Sequence, residues 1–527
     1  MAQRLLTRKL LSQTDFWESK NVELPRYDGA QLPVTALCFS AGRMAYGHTG
    51  DIIQDLIKSG NANGVMCGIE TYAARYCAEL AACDYLMTQL VYDNEQGNAR
   101  PKILGSIPSV LYVDANRESL TFKKMLEFAR NPEVQFATIN APEGAYGVNY
   151  QGGEFVEPVS ARLKDDLVNG SVNSDPARWT AFARARFEAG LPFAFVSCTN
   201  FSGNGHYTAA TIRTVAKAWE EKGFVPRGFL GYVSDPRRFA CPNTMIDRIA
   251  VPADDRAQRI LQELEITSNL VVTEKARYWA IEDLFPAGRP EFEKAEGVFV
   301  ESTYDNVKRY EDMKLRILNM SHSVIAGLGV LLGYRGAYGI YQAMQDKDIR
   351  HLIDRIIALV VETVPSPKSM STEQFAKDTI ARLNNPNIPD DPMRIALNAS
   401  TKMAPRFMDT YFAAQEAGIG KREIDLVLVP VAGFLRYTCG VDDAGDTFEL
   451  EDDPIKDKLE ACGGEAAIGK PSSAAALKIL IGDPSIMGKD LYERGSTGTD
   501  LANLVTDMLQ GKGAVRRTVQ TALKEIA

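Results

Sequence analysis

A lysine, an asparagine and a histidine stand on one helix beside a set of apolar side chains. In KLRILNMSHS, residues 314–323, Lys314, Asn319 and His322 stand among leucine, isoleucine and methionine. Each can donate or accept a proton, so together they suit acid–base chemistry on an oxygen. At roughly 100° per residue they project at roughly 0°, 140° and 80°, and they span roughly 12 Å of helix axis. They therefore share one side and can line one wall of a cleft. Singly, each has a plainer reading: a solvated lysine, an asparagine bonded to backbone, a satisfied core histidine. Three such groups in nine residues point to a site.

A second candidate site lies near the N-terminus. VTALCF, residues 34–39, reads as a strand, and GDIIQDLIKSG carries helical spacing at Ile52, Ile53, Leu56 and Ile57. A strand, a small-residue turn and a helix N-terminus suit a pyrophosphate, because the first helical N–H groups are unpaired and carry partial positive charge. Ser40 and Gly42 would form that turn. Glu70, after the next strand GVMCGIE, is placed to hold ribose hydroxyls. Its carboxylate repels a 2′-phosphate, which favours NAD over NADP. The turn reads SAGRMAYGH and lacks the GxGxxG fingerprint. The plainer alternatives are an ordinary α/β turn and a solvated strand-end carboxylate.

These sites need elements to position them. Strand-like runs continue at KILGSI, VQFATINA, FAFVSC and GFLGYV, with helical segments such as SLTFKKMLEFARN and HYTAATIRTVAKAWEEKG between several of them. That alternation predicts an α/β Rossmann-like domain with a mostly parallel sheet over 1–300, its first 32 residues an irregular arm. Beyond AEGVFVESTYDN the periodicity turns helical, which predicts a mainly α-helical catalytic domain over 301–527. The acidic stretch GVDDAGDTFELEDDP reads as a solvated loop.

Composition narrows the partners. A length of 527 residues exceeds one core, and a net charge of −9 disfavours nucleic acid or an anionic membrane surface. The eight cysteines form no CxxC pair, and no cysteine–histidine cluster has metal spacing, so no metal is expected. The N-terminus has no apolar core of signal-peptide length, and SVIAGLGVLLGY is too short to cross a bilayer. A soluble cytoplasmic protein acting on a small molecule, as a monomer or small homo-oligomer, is the expectation.

KLRILNMSHS, with its flanks YEDMKLRILN and AGLGVLLGY, resembles the signature helix of the polyol-specific long-chain dehydrogenases, the mannitol dehydrogenase family. The likeness extends across roughly residues 33–430. It includes CPNTMIDRIAVP with Asp247, VSCTNFSGNG with Asn200 and Asn204, APEGAYG with Glu143, and RIALNASTK with Arg394 and Lys402. The phosphate turn departs from the family's Gly-x-Gly…Phe-x-Arg-Ala-His pattern, keeping Gly42 and His48. Thr199 stands where the family commonly has aspartate, and Met320-Ser321 replaces its usual glycine-alanine step.

The resemblance implies a metal-independent NAD-linked secondary-alcohol dehydrogenase interconverting a polyol and its ketose. Lys314 would be the general base. A free lysine titrates at about 10.4, whereas a base working near neutrality needs about 7–8, a shift that burial beside a cationic ring supplies. Asn319 and Asn200 would hold the reacting oxygen, and His322 would bond a neighbouring hydroxyl or orient the carbonyl. Asp247 would bind substrate hydroxyls, Glu143 would relay the proton to solvent, and Arg394 and Lys402 would clamp the distal end. A keto-hexuronate such as fructuronate or tagaturonate is the alternative substrate. A non-catalytic dinucleotide sensor is the alternative from another class, motivated by the altered glycine turn.

Overall fold

Apolar runs buried on both faces make parallel strands, and six of them in the N-terminal part of the chain join one sheet. The computed structural model describes residues 3–92, 99–149 and 157–525. In it Val34–Phe39 is flanked by Val65–Glu70 and Phe136–Ile139. Ser109–Tyr112 lies outside Val65–Glu70, while Phe193–Ser197 and then Phe239–Ala240 lie outside Phe136–Ile139. Every pairing is parallel. Numbered within this sheet, the order is 3-2-1-4-5-6, the doubly wound arrangement of dinucleotide-binding domains.

Alternation along the strands builds two cores. Leu37, Phe39, Ile69, Ala137, Ile139 and Phe195 face one side, against Phe122, Trp179 and Ile212 of the helices Leu120–Arg130, Asp175–Glu188 and Asn204–Glu221. Ala36, Cys38, Met66, Phe136 and Val196 face the other, against Ile52, Ile53 and Leu56 of Asp51–Lys58. That helix is anchored by buried charge. Asp51 meets Lys102 at 2.6 Å, Arg248 at 2.9 Å and Arg277 at 2.8 Å. Burial pushes the Asp51 carboxyl up, yet Arg277, Lys102 and Arg248 hold it well below the usual carboxylate range. Arg248 thus pairs with Asp51 and Thr273, rather than with its neighbour Asp247.

Two smaller sheets were not foreseen. Ala250–Val251, Asn269–Glu274, Met87–Tyr92 and Ala99–Leu104 form a four-stranded mixed sheet, and Thr244–Asp247, Tyr278–Glu282 and Val298–Glu301 form a three-stranded one. Met87–Tyr92 pairs locally with Ala99–Leu104 but also with the distant Asn269–Glu274, a relation that local periodicity does not carry. GFLGYV, expected as a strand, is the helix Phe229–Val233. Phe229, Tyr232 and Val233 recur at helical spacing and are all buried, with Phe229 and Tyr232 against Phe187, so periodicity outweighs β-propensity. The N-terminal arm is more ordered than expected. Leu6, Leu10 and Trp17 pack on Ile103, Leu261 and Ile266, and Arg4–Leu5 pairs with Ile266–Thr267.

The chain divides into two compact units, Met1–Lys308 and Arg309–Ala527. Among the described residues, the regular elements of the second unit are helices. Leu428–Tyr437 is buried at every position, and Gly433 lets it approach Leu328, which a Cβ would meet at 2.6 Å. The acidic stretch 440–454 is not simply solvated. Asp442 accepts a bond from Arg335 at 2.8 Å, and Asp443 accepts from the Val515 and Arg516 N–H groups. Those N–H groups open the helix Ala514–Lys524, where an anion is favourable. Among the described residues no helix is long and apolar enough to cross a membrane.

Candidate active site

Lys314, Asn319 and His322 do not lie on a plain α-helix. Tyr304–Met313 is α-helical, Lys314–Asn319 is a π turn, Met320–Val324 is α-helical again and Ile325–Gly329 is a second π turn. A π turn closes i→i+5 bonds and rotates less per residue, so the angular spacing expected for an α-helix does not apply. Here the Met320 N–H reaches the Leu315 carbonyl. Side chains also bond the carbonyls of this turn. Ser321 Oγ donates to the Ile317 carbonyl at 2.7 Å, and Arg406 donates to the Asn319 carbonyl at 2.8 Å and to Ser323 Oγ at 2.7 Å. Single π turns inside α-helices recur at functional sites.

Lys314 is buried, at 7% exposure. The Asn319 amide is half-buried. His322 is buried, and its Nδ1 lies 3.1 Å from the Leu318 carbonyl. A carbonyl only accepts, so Nδ1 carries the ring proton and Nε2 offers a lone pair. Burial first, then Arg394, Arg382 and Arg406, push the His322 pKa down to about 3, so the ring is neutral at physiological pH. An acceptor at Nε2 suits a hydroxyl donor. In this tautomer it accepts from a hydroxyl rather than donating to a carbonyl oxygen.

Arg394 and Lys402 lie on the same unit. Arg394 Nε and a terminal nitrogen both donate to Asp390 Oδ1, at 2.9 and 2.7 Å. Asp390 Oδ2 lies 3.9 Å from His322 Nε2, so one buried carboxylate links Arg394 to His322. The Lys402 ammonium bonds the Ile395 carbonyl at 2.8 Å and also the Leu397 carbonyl, closing the end of the helix Pro392–Ala396. Lys402 also lines a small cavity with Ser323, Gly327, Ile395, Phe434 and Tyr437.

The first unit gathers its candidates at the carboxyl ends of strands, where open α/β sheets bind ligands. Ser40 follows Val34–Phe39 with φ 61°, in the left-handed region that favours glycine. The serine takes a backbone conformation natural to glycine at a cost of about 1–2 kcal/mol. Its N–H bonds the Ile69 carbonyl and its carbonyl takes the Gly42 N–H, both at 2.8 Å. A Cβ on Gly42 would meet nothing within 4 Å. No neighbour among the described residues excludes a side chain there, but an approaching pyrophosphate would. Gly68 has the opposite reason: a Cβ would meet Ala41 Cβ at 2.7 Å and Val110 Cγ2 at 2.9 Å.

Glu70 ends the second strand, buried, its Oε1 accepting from the Thr71 and Tyr72 N–H groups at 3.0 and 2.8 Å. Asn140 ends the fourth strand, beside the first, at the switch point of the sheet. Its Nδ2 reaches Cys38 Sγ and Thr138 Oγ1, both at 3.2 Å, while Oδ1 is buried and unpartnered among the described residues. Turning the amide over only moves the deficit to the other atom. The open face at Gly42, the strand-end carboxylate and this unpartnered amide fit a dinucleotide.

Glu143 is exposed in a 3-10 turn just beyond, and Asn200 is exposed after Phe193–Ser197. Asp247 is buried at the end of Thr244–Asp247. Asn204 is a brace: its amide bonds the Thr199 carbonyl and both the carbonyl and N–H of Thr244, each at 2.9 Å. His48 is also structural. Its Nε2 meets the Tyr278 carbonyl at 3.2 Å, and burial pushes its pKa down to about 3.

The candidates therefore form one group in each unit. Sequence reasoning missed Asp390, Glu311, Arg406 and Asn140. Asp390 had a signal, an acid four residues before Arg394. Glu311 had another, since it lies three residues before Lys314, and it is buried. Arg406 and Asn140 had none.

Comparison with known proteins gives the chain its relatives. The mannitol dehydrogenase C-terminal domain family matches residues 306–491. The D-mannonate oxidoreductase of Thermotoga maritima is 27% identical over 541 aligned positions, covering 98% of each chain. The uncharacterized oxidoreductase YdfI of Escherichia coli is 31% identical over 425 positions, covering 77% of this chain and 79% of that one. In fold, the mannitol 2-dehydrogenase of Pseudomonas fluorescens, in ternary complex with NAD and D-mannitol, superposes with a TM-score of 0.80 at 21% identity, covering 97% and 99% of the two chains.

Proposed function

The chain belongs to the mannitol dehydrogenase family of oxidoreductases, and from that premise we propose that it interconverts a mannitol-like polyol and its ketose with NAD. The observation that carries this reading is the buried Lys314 in a π turn, on the same helix as a neutral imidazole that presents an acceptor. NAD, when bound, supplies the ring that takes the hydride. The open turn at Ser40–Gly42 would let its pyrophosphate approach the backbone, Glu70 would hold its ribose hydroxyls, and the Glu70 carboxylate would disfavour NADP.

Lys314 Nζ takes the hydroxyl proton of the reacting carbon. The Asn319 and Asn200 amides donate to that oxygen as its charge develops. His322 Nε2 accepts from a neighbouring hydroxyl, and Asp247 accepts from others. Glu143, exposed, passes the proton to solvent. Glu311 is a buried carboxylate one turn before Lys314. Arg394 and Lys402 hold the distal end of the substrate.

A sugar-acid reading, reduction of a keto-hexuronate, is favoured by one observation. The Thermotoga maritima relative named D-mannonate oxidoreductase aligns over 98% of both chains. Against it, the Arg394 charge is already paired by Asp390 and the Lys402 ammonium by two carbonyls, which weakens both for a carboxylate. A panel of polyols, hexonates and keto-hexuronates, followed at the NADH absorbance with NAD(H) and NADP(H), tests the proposal. Turnover of a polyol with NAD is expected. No turnover of any compound with either cofactor overturns it.

A further inference from the structure

Two hydrogen-bond acceptors face each other in the helical unit without a donor between them. Asp390 Oδ2 is buried and has no hydrogen-bond partner among the described residues, although Oδ1 takes both Arg394 bonds. His322 Nε2, 3.9 Å away, presents a lone pair, because the Leu318 carbonyl fixes the ring proton on Nδ1. A carboxylate and a lone pair at this separation repel each other unless a proton sits between them. The ring does not supply it, because burial and the nearby Arg394, Arg382 and Arg406 keep it neutral. Burial, partly offset by Arg394, holds the Asp390 carboxyl above its ordinary value, as expected of a carboxylate oxygen short of a proton.

We propose that Asp390 Oδ2 and His322 Nε2 form a two-acceptor subsite that takes the O–H of one substrate hydroxyl. This rests on the polyhydroxy-chain reading above. A hydroxyl oxygen about 2.8 Å from each atom closes a triangle on the 3.9 Å gap. Its single hydrogen lies between the buried carboxylate oxygen and the ring nitrogen, shared as a three-centre bond, and this eases the repulsion. A ketone, a carboxylate oxygen or a deoxy carbon at that position brings no proton, so it leaves the deficit in place. The subsite therefore reads the oxidation state of one carbon beside the reacting one. Asp390 contributes specificity there, and its bonds to Arg394 set which of its oxygens faces the ring.

Asp390→Asn tests this. With its oxygen kept on Arg394, the new amide nitrogen donates to His322 Nε2 and closes the subsite. KM for D-mannitol is expected to rise about 10- to 100-fold, as for loss of one hydrogen bond to a charged group, while NADH affinity stays unchanged. The monodeoxy analogue lacking the bound hydroxyl should bind weakly to the native protein and show little further loss in the variant. His322→Asn, which leaves the Arg394–Asp390 pair intact, should give the same pattern. Equal losses for D-mannitol and every monodeoxy analogue would mean a purely structural role and overturn the proposal.

The chain has four histidines, so the ring of His322 can be followed by ¹⁵N NMR and assigned with His322→Asn. A neutral Nδ1–H ring at pH 7 is expected in the free protein, with a shift at Nε2 when D-mannitol is added to the NADH-loaded enzyme. A doubly protonated ring in the free protein overturns the subsite, and so does turnover of D-mannitol without any response at Nε2. A response at Nε2 without turnover of any polyol supports the subsite and overturns the functional reading instead.

Discussion

Gly42→Ala separates what the fold requires from what a cofactor requires. Gly42 is outside the left-handed region and a Cβ there meets open space. The alanine should therefore fold as well as glycine, or gain about 0.4–1 kcal/mol from a less flexible unfolded chain. A methyl at the turn, however, stands where a pyrophosphate would approach the backbone. Losing one hydrogen bond to a charged phosphate removes about 1.5–3 kcal/mol, or about 10- to 150-fold in affinity. Gly68→Ala is the contrasting variant. Its Cβ would lie 2.7 Å from Ala41 Cβ and 2.9 Å from Val110 Cγ2, neither of which is the end of a flexible chain. Overpacking of that kind costs about 1–3 kcal/mol, and each kcal/mol lowers Tm by about 2–4 °C in a unit of this size. Thermal unfolding and NADH fluorescence titration of both variants decide the matter. Gly42→Ala should keep Tm and lose NADH binding, whereas Gly68→Ala should lower Tm. A Gly42→Ala protein that binds NADH like the native one refutes the placement of the pyrophosphate.

Lys314→Ala should leave NADH binding intact while turnover falls about 100- to 10,000-fold, read by fluorescence titration beside steady-state rates; equal rates would remove Lys314 as the base. Glu70→Gln keeps the acceptor for the Thr71 and Tyr72 N–H groups but removes the charge, so the ratio of NADPH to NADH affinity should rise in competitive titration. Asp51→Asn leaves Lys102, Arg248 and Arg277 without their shared buried anion and should cost about 3–5 kcal/mol in denaturant unfolding. Since the folded Asp51 carboxyl is depressed, its stabilisation is complete above the unfolded value of about 3.9 and is lost as pH falls further. His48 and His322 act in another window. Both are pushed down to about 3, so the unfolded chain binds more protons from about 6.5 downward and stability should fall as pH drops below that value. Replacing His48 by asparagine should flatten that part of the stability profile measured by guanidinium unfolding.

Much of this was legible because it is local. Val34–Phe39 and Val65–Glu70 are continuous apolar runs, and such runs announce buried parallel strands. The helices Asp51–Lys58, Leu120–Arg130 and Lys347–Thr363 declare themselves by spacing. GFLGYV misled because a short aromatic run suits strand and helix alike, and its contact with Phe187 decided for helix. The small sheets escaped because Met87–Tyr92 pairs with Asn269–Glu274 across much of the unit. At the site, residue types and spacing named Lys314, Asn319 and His322, while Arg406 and Asn140 are visible only through their partners.

By itself the amino-acid sequence determined an α/β half, a helical half, a lysine–asparagine–histidine helix and an acid after the second strand. Those follow from periodicity and composition, which act over a few neighbouring residues. Only the tertiary structure decided the 3-2-1-4-5-6 strand order, the π turn beneath Lys314, and the proton on His322 Nδ1. It also decided that Arg394 is paired with Asp390 and that Asp390 faces the His322 ring. The reason is physical. Strand order, a proton's position and a charge's partner depend on which groups meet in space, and hydrogen bonding and burial settle them only after the chain has folded.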